Sequence, residues 1–276
     1  MEQLQWVLSA FGDEIDADLK VQLKTLTEHN IHHLEIRSVW GKNILELWDG
    51  EIEQVRKDLI GNGCAISAIG SPIGKVDIES DFNEHLKQFA RVLEIAELLE
   101  TQFVRMFSFF IKPGQHNIYR ERVVNQLGQL THLAEQRGII LLHENEKDIY
   151  GDTAERCLDI LETINSPNLR ATFDSANFIQ VGEEPFPKAY QMLRPWVEYI
   201  HIKDALFATG EVKPAGEGDG SYDEFIESLI ADQYEGFLSI EPHLDNSQPG
   251  GGKARFTEAH TALMQLVKAH SEVTVY

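Results

Sequence analysis

Cysteine is nearly absent. The chain has two in 276 residues, Cys64 and Cys157, far apart and in no C-x-x-C pair. That excludes a disulfide framework and a thiolate zinc site. A chain of this length buries enough core to need neither, so a reducing compartment with both thiols buried is expected. No apolar run approaches the roughly 18 residues of a membrane span. The opening MEQLQWVLSAFGDEID has neither a basic n-region nor an apolar h-region, so no signal peptide is expected and the expected location is the cytoplasm. Positive charge is scarce too: 24 Lys and Arg stand against 45 Asp and Glu, a formal net charge of −21. Lys and Arg are what neutralise a phosphate backbone, so no nucleic-acid partner is expected, and the acidic surplus is read as solubility. Also missing is a G-x-G-x-x-G after the first strand, where the chain reads SAFGDEID. That argues against an open dinucleotide-binding sheet.

What is present is strict alternation. Short apolar runs read as strands at Gln5–Ser9, His33–Ile36, Ala65–Ile69, Phe103–Phe107, Ile139–His143, Arg170–Phe173, Glu198–Ile202 and Gly236–Ile240. Amphipathic stretches fall between them at Ala17–Glu28, Glu51–Leu59, Phe82–Leu99, Ile118–Gln136, Thr153–Thr163, Pro187–Leu193, Ser221–Ala231 and Ala254–Ala269. Phe82, Leu86, Phe89, Val92, Leu93 and Ala96 show the helical stripe most clearly. Eight βα units predict a parallel sheet closed into a (β/α)8 TIM barrel of the α/β class. With no linker or low-complexity segment, residues 1–276 form one domain in this reading.

In such a barrel the active site lies at the C-terminal ends of the strands, and these ends are rich in polar residues. They carry Glu35 and Arg37, Arg105, His143, Glu144, Asn145 and Glu146, Asp174, His201, Lys203 and Asp204, and Glu241 and His243. Strand side chains alternate, so Glu35 shares a face with Arg37 and His201 with Lys203. If Glu144 faces the barrel axis, His143 faces the helices. Glu144, Asp174, His201 and Glu241 make a metal set of three oxygens and one imidazole. It suits one divalent ion, Mn²⁺ first, with Mg²⁺, Co²⁺ or Zn²⁺ as alternatives. Arg105, and Lys75 on the SPIGK loop, could grip an anionic or hydroxyl group of a substrate, or simply pair with acids. Glu35 and Arg37 are further candidates for substrate contact, the alternative being local pairing.

The chain resembles the sugar phosphate isomerase/epimerase superfamily of xylose-isomerase-like TIM barrels over essentially its whole length. The motifs are SAFGDEI at 9–15, LEIRSVWGKNI at 34–44, SPIGK at 71–75, LLHENEKDIYGDT at 141–153, ATFDSANF at 171–178, YIHIKDA at 199–205, PAGEGDG at 214–220 and FLSIEPHL at 237–244. The resemblance implies that Glu144 and Glu241 are both metal ligands and catalytic bases, with Asp174 and His201 as the other ligands. It places Lys203 and Asp204 near the substrate or one layer behind it, and it implies a homo-oligomer whose state no residue fixes; His243, at the end of the last strand, is a further candidate for substrate contact. One departure stands out. Relatives commonly carry D-x-x-H, whose His contacts substrate, and here the fourth position is Asn177, which forms hydrogen bonds but does not titrate near neutrality.

Two glutamates flanking one metal suit proton transfer beside a polarised carbonyl. The expected function is therefore a metal-dependent isomerase or epimerase of a small carbohydrate-type substrate. The alternative is a dehydratase using the same site, in which loss of a β-hydroxyl follows. An apurinic-site endonuclease would need extra zinc ligands and a basic groove, and the strand ends EIRS and AIGSP supply no such histidine. A non-catalytic sugar-binding barrel would have no use for a pair of bases.

Overall fold

The structure, a computed structural model, describes residues 4–270 and 273–276. Among them, eight parallel strands form the ring: β1 (Leu4–Phe11), β2 (His33–Ile36), β3 (Ala65–Gly70), β4 (Phe103–Met106), β5 (Ile140–Glu144), β6 (Leu169–Asp174), β7 (Val197–Ile202) and β8 (Phe237–Ile240). Each pairs with the next in sequence, and β8 pairs with β1, Val7 opposite Phe237 through Ala10 opposite Ile240. The expected TIM barrel is therefore closed.

The helices are α1 (Leu19–Glu28), α2 (Asp49–Gly61), α3 (Phe82–Leu98), α4 (His116–Glu135), α5 (Ala154–Ile164), α6 (Ser175–Gln180), α7 (Tyr190–Leu193), α8 (Tyr222–Ala231) and α9 (Gly251–Lys268). Several start where a side chain satisfies the open backbone donors of the first turn. The Asp18 carboxylate accepts from Lys20 N, Asp81 from Asn83 N and Glu84 N, and the Thr153 hydroxyl from Arg156 N. On α3 the buried residues His85, Phe89, Val92, Leu93 and Ala96 recur at helical spacing, which lays that face on the barrel. No helix among the described residues is long and apolar enough to cross a membrane.

Four features lie outside the alternating pattern. α6 follows β6 without a loop, two small hairpins pair Ser38–Val39 with Lys42–Asn43 and Asp204–Ala205 with Val212–Lys213, and Val273–Val275 adds a strand beside the start of β1. Each is too short to carry a readable period. Cys157 is buried as expected, but Cys64, at the entry to β3, is only half-buried.

Strand alternation separates two layers. Leu141 of β5 joins the large apolar cluster between strands and helices, whereas Leu142 packs with Ala68, Phe103 and Tyr199. Phe103 on β4 and Tyr199 on β7 are three strands apart, so their edge-to-face contact spans the barrel interior. Above this apolar plug lies a polar layer. Ser9 and Ser67 share a hydrogen bond of 2.6 Å, Tyr199 Oη meets Ser67 Oγ at 2.9 Å, and Ser239 Oγ donates to Glu35 Oε2 at 2.8 Å. The interior thus grows more polar toward the C-terminal mouth.

Candidate active site

The ladder register delivers the site. Asp174 stands opposite His201 across β6 and β7, and Glu144 opposite Thr172 across β5 and β6. His201 Nδ1 lies 3.2 Å from Glu144 Oε1, 3.8 Å from Asp174 Oδ2 and 3.9 Å from Glu241 Oε2. One donor atom from each of the four residues falls within 4.8 Å of all the others, and all four residues are buried. The other ring nitrogen, Nε2, faces Glu35 Oε2 at 3.1 Å. A carboxylate on Nε2 holds a proton there and turns Nδ1 toward the acids, the orientation that would offer its lone pair to an ion; without one, Nδ1 carries a proton as well. Three carboxylate oxygens, one imidazole nitrogen and no thiolate form a donor set that fits a hard or borderline divalent ion.

Fixed contacts hold the acids in place. Asn145 extends the β5–β6 ladder with its side chain: its Nδ2 donates to Asp174 O (2.9 Å) and its Oδ1 accepts from Asp174 N (3.0 Å). Asp174 caps α6 by accepting from Asn177 N at 2.9 Å, which explains a helix that begins on the residue after it. Asn177 Nδ2 donates to Glu144 Oε1 (3.1 Å) and to Asn145 O (2.9 Å). The Lys203 ammonium bridges Glu241 Oε2 at 2.7 Å and Asp174 Oδ2 at 2.9 Å.

A cavity of about 390 Å³ opens above these residues. Arg37 spans its β1–β2 side, with Nε on Asp13 Oδ2 at 2.8 Å, Nη2 on Glu14 Oε1 at 3.0 Å and Nη1 on Glu241 Oε1 at 3.0 Å. Arg105 Nε lies 3.2 Å from Glu144 Oε2, and its Nη1 donates to Ser71 O at 3.0 Å. Its guanidinium and the Lys75 ammonium both lie over the Phe107 ring, 4.5 and 4.2 Å from the centroid. The loop carrying Lys75 is zipped to the segment after β4 by Phe107 N to Ile73 O and Phe109 N to Gly74 O, both 2.8 Å.

Burial and charge pull the titrating groups apart. Burial pushes the Glu144 carboxyl up, but the positive charge of His201 and Arg105 outweighs it and carries the group down to about 2. Burial likewise opposes ionisation of Glu241, and Lys203, His243, His201 and Arg37 hold it well below the usual carboxylate range. Asp174 is pushed up to about 6 by burial, against the pull of Lys203. Burial works against the charged forms of His201 and Lys203, yet the acids around each raise both well above their ordinary values. Without a metal, then, the three carboxylates lean on protons and ammonium for neutrality.

Of the residues expected to touch substrate, Arg37, Lys75, Arg105, Asn177, Lys203 and His243 line the cavity, as do Glu144 and Glu241. Glu35 lies beneath the floor at 0% exposure, against His201 and Ser239. β8 ends at Ile240, before Pro242. His243 reaches the cavity through a left-handed backbone (φ +45°) and places Nδ1 3.6 Å from Glu241 Oε2. His143 faces away from the cavity, as alternation requires: it packs against Gly151, where a Cβ would come within 2.4 Å of the ring, and burial pulls it down to about 4. The PAGEGDG loop turns its amides inward, since Gly216, Gly218 and Gly220 all donate to the Asp204 carboxylate at 2.9–3.1 Å.

Asp13 and Glu14, which clamp Arg37 from the turn after β1, and Phe107 were not singled out from the sequence. The signal for the first two was present, an acidic pair directly after a strand end in SAFGDEI. Phe107 carries no such mark, because its importance comes from what the Lys75 loop lays against it. Glu146, one of the polar residues at the end of β5, pairs with Lys75.

Comparison with known proteins agrees with this fold. The family model described as Xylose isomerase-like TIM barrel matches residues 24–264. The 3-dehydroshikimate dehydratase of Bacillus anthracis is 23% identical over 226 residues, 74% of this chain and 79% of that protein. Among solved structures, the IOLI protein with a bound zinc atom superposes with a TM-score of 0.80 at 18% identity, covering 96% of this chain and 99% of that one. The E. coli 3-keto-D-glucoside 4-epimerase YcjR, in its apo form, superposes with a TM-score of 0.71 at 16% identity, covering 97% and 100%.

Proposed function

Because the chain belongs to the xylose isomerase-like TIM barrel family, we propose that it is a divalent-metal-dependent isomerase or epimerase that moves a carbon-bound proton beside the carbonyl of a small polyhydroxylated substrate. The observation that carries this reading is the pair of cavity-lining glutamates, Glu144 from β5 and Glu241 from β8, whose oxygens converge with Asp174 and His201 Nδ1. When bound, a divalent ion, Mn²⁺ by preference, supplies positive charge at the substrate oxygen and makes the neighbouring C–H more acidic. The residues do the rest. Asn177 and Arg105 hold the two oxygens of Glu144, and Arg37 and Lys203 hold those of Glu241, so each carboxylate is ionised and fixed in direction. One glutamate removes the proton, and the other, once it has taken up a proton from solvent, delivers that proton to the opposite face, each contributing a factor of about 10²–10⁴. The cavity volume is in the range of small-molecule sites, roughly 300–1,000 Å³.

A second reading, a dehydratase, is favoured by the match to a dehydratase over 74% of the chain. It shares the first proton removal and then expels a β-hydroxyl as water. Incubating the metal-loaded protein with ketoses, inositol ketones and hydroxylated keto acids separates the two. A new diastereomer or an aldose–ketose pair in NMR spectra assigns the isomerase or epimerase, and an ultraviolet-absorbing enone assigns the dehydratase. Turnover that is indifferent to a chelator would defeat both.

A further inference from the structure

The two sides of the cavity do not use their charges alike. The chain as a whole has 24 basic and 45 acidic side chains, yet the cavity lining reverses the balance. Arg37, Lys75, Arg105, Lys147 and Lys203 stand there against Glu144, Glu146 and Glu241. Arg37 is saturated, since its three nitrogens meet Asp13, Glu14 and Glu241. Lys203 bridges two ligand carboxylates. Arg105 is different. Its Nε faces Glu144 and its Nη1 donates to Ser71 O, but no acceptor among the described residues meets Nη2. Arg105 lines the cavity, and its Nη2 lies beside Gly70, another residue of the lining. The buried nitrogen of this side chain without a hydrogen bond among the described residues is Nε, which faces Glu144 as an ion pair, while Nη2 is a donor open to a group bound in the cavity. Gly70 keeps the approach open: a Cβ there would come within 3.3 Å of Arg105 Nη2. Lys75 lies on the same Phe107 ring, 37% exposed, with Glu146 as its one ion-pair partner among the described residues, at 3.1 Å.

We infer that the Phe107 platform is an anion subsite in which Arg105 Nη2 and Lys75 Nζ hold a carboxylate of the substrate, so that the substrate class is a polyhydroxylated keto acid. This rests on the proton-transfer reading only for the placement of the carbonyl. A carboxylate fits better than a phosphate. Glu146 beside Lys75 opposes the second negative charge of a phosphate dianion.

The test is calorimetric binding to the Mg²⁺-loaded protein with three probes: shikimate, its neutral methyl ester, and inorganic phosphate. Shikimate should bind at least about tenfold more tightly than the ester, as one charge-assisted contact allows. Lys75→Met should remove about that factor for shikimate while leaving the ester within twofold, which also shows that the variant is folded. Lys75→Arg should restore the preference. Equal binding of acid and ester, no binding of shikimate at millimolar concentration, equal loss of both ligands in Lys75→Met, or tighter binding of phosphate than of shikimate would each overturn the assignment. No turnover is measured, so the outcome stands apart from the proton-transfer reading. That reading fails instead if exchange at carbon needs neither metal nor Glu241.

Discussion

The two walls of the cavity are both charged and both largely buried, but they are assembled on opposite plans. On the β5–β8 wall, like charges converge: three carboxylates and a histidine bring donor atoms within 4.8 Å, held from strand ends whose positions the barrel ladder fixes. On the β2–β4 wall, cations are laid on aromatic faces, Arg37 on Phe11 and Arg105 and Lys75 on Phe107, each with an acid close by. Clustered acids cost stability unless a cation compensates them, so the first wall is built to take one. The second wall is nearly balanced on its own and is suited to positioning.

If that contrast holds, substitutions on the two walls differ in kind as well as in size. Glu241→Gln and Glu144→Gln keep shape and remove a base, so kcat on the true substrate should fall by about 10²–10⁴ in either variant. Steady-state kinetics at saturating metal checks this, and a fall of less than tenfold in both would dissolve the distinction. Asp174→Ala should lower bound metal from about one ion per chain toward none, read by elemental analysis after dialysis. Lys203→Met strips the ammonium from Asp174 and Glu241 and leaves buried acids unpaired. The metal-free variant should lose about 3–5 kcal/mol of stability, and added Mn²⁺ should restore much of it in thermal unfolding. A variant that melts like wild type with or without metal would show that the acids do not depend on a cation.

On the other wall, Gly74→Ala places a Cβ within 2.0 Å of Phe107 O at a φ of +84°. It should destabilise the protein by about 1–3 kcal/mol through strain and loosen the Lys75 loop. Smallest of all, Lys75→Met should raise KM about tenfold with little change in kcat, the pattern of lost positioning.

The first wall was far more legible in the sequence than the second, for a physical reason. Glu144, Asp174, His201 and Glu241 end strands whose apolar runs are visible, and period-two alternation tells which residues share a face. Asn177 was also within reach, because it fills the last position of the D-x-x-H pattern that the family resemblance brings. The second wall depends on tertiary packing that no local pattern encodes. Phe107 follows β4 like any apolar residue, and only the backbone bonds from Ile73 and Gly74 bring Lys75 over its ring. Glu35 shows the complementary limit. Alternation places it on the inner face with Arg37, but it does not say that one residue opens to the cavity while the other lies under His201. α6 was hidden because six residues give no period, and its start is set by an Asp174 that sequence reasoning had assigned to the metal.

The central claim is that the converging acids, with a divalent ion among them, move a proton to and from carbon. Incubating the substrate with the protein in D₂O and following deuterium at the carbon beside the carbonyl tests it most directly. The account predicts incorporation with Mn²⁺ present, its loss on chelation and return on adding metal back, and none above background in Glu241→Gln. Full turnover in D₂O with metal bound and no deuterium at that carbon in product or recovered substrate, under conditions where a shielded internal transfer has been excluded by a carbon-deuterated substrate, would contradict it.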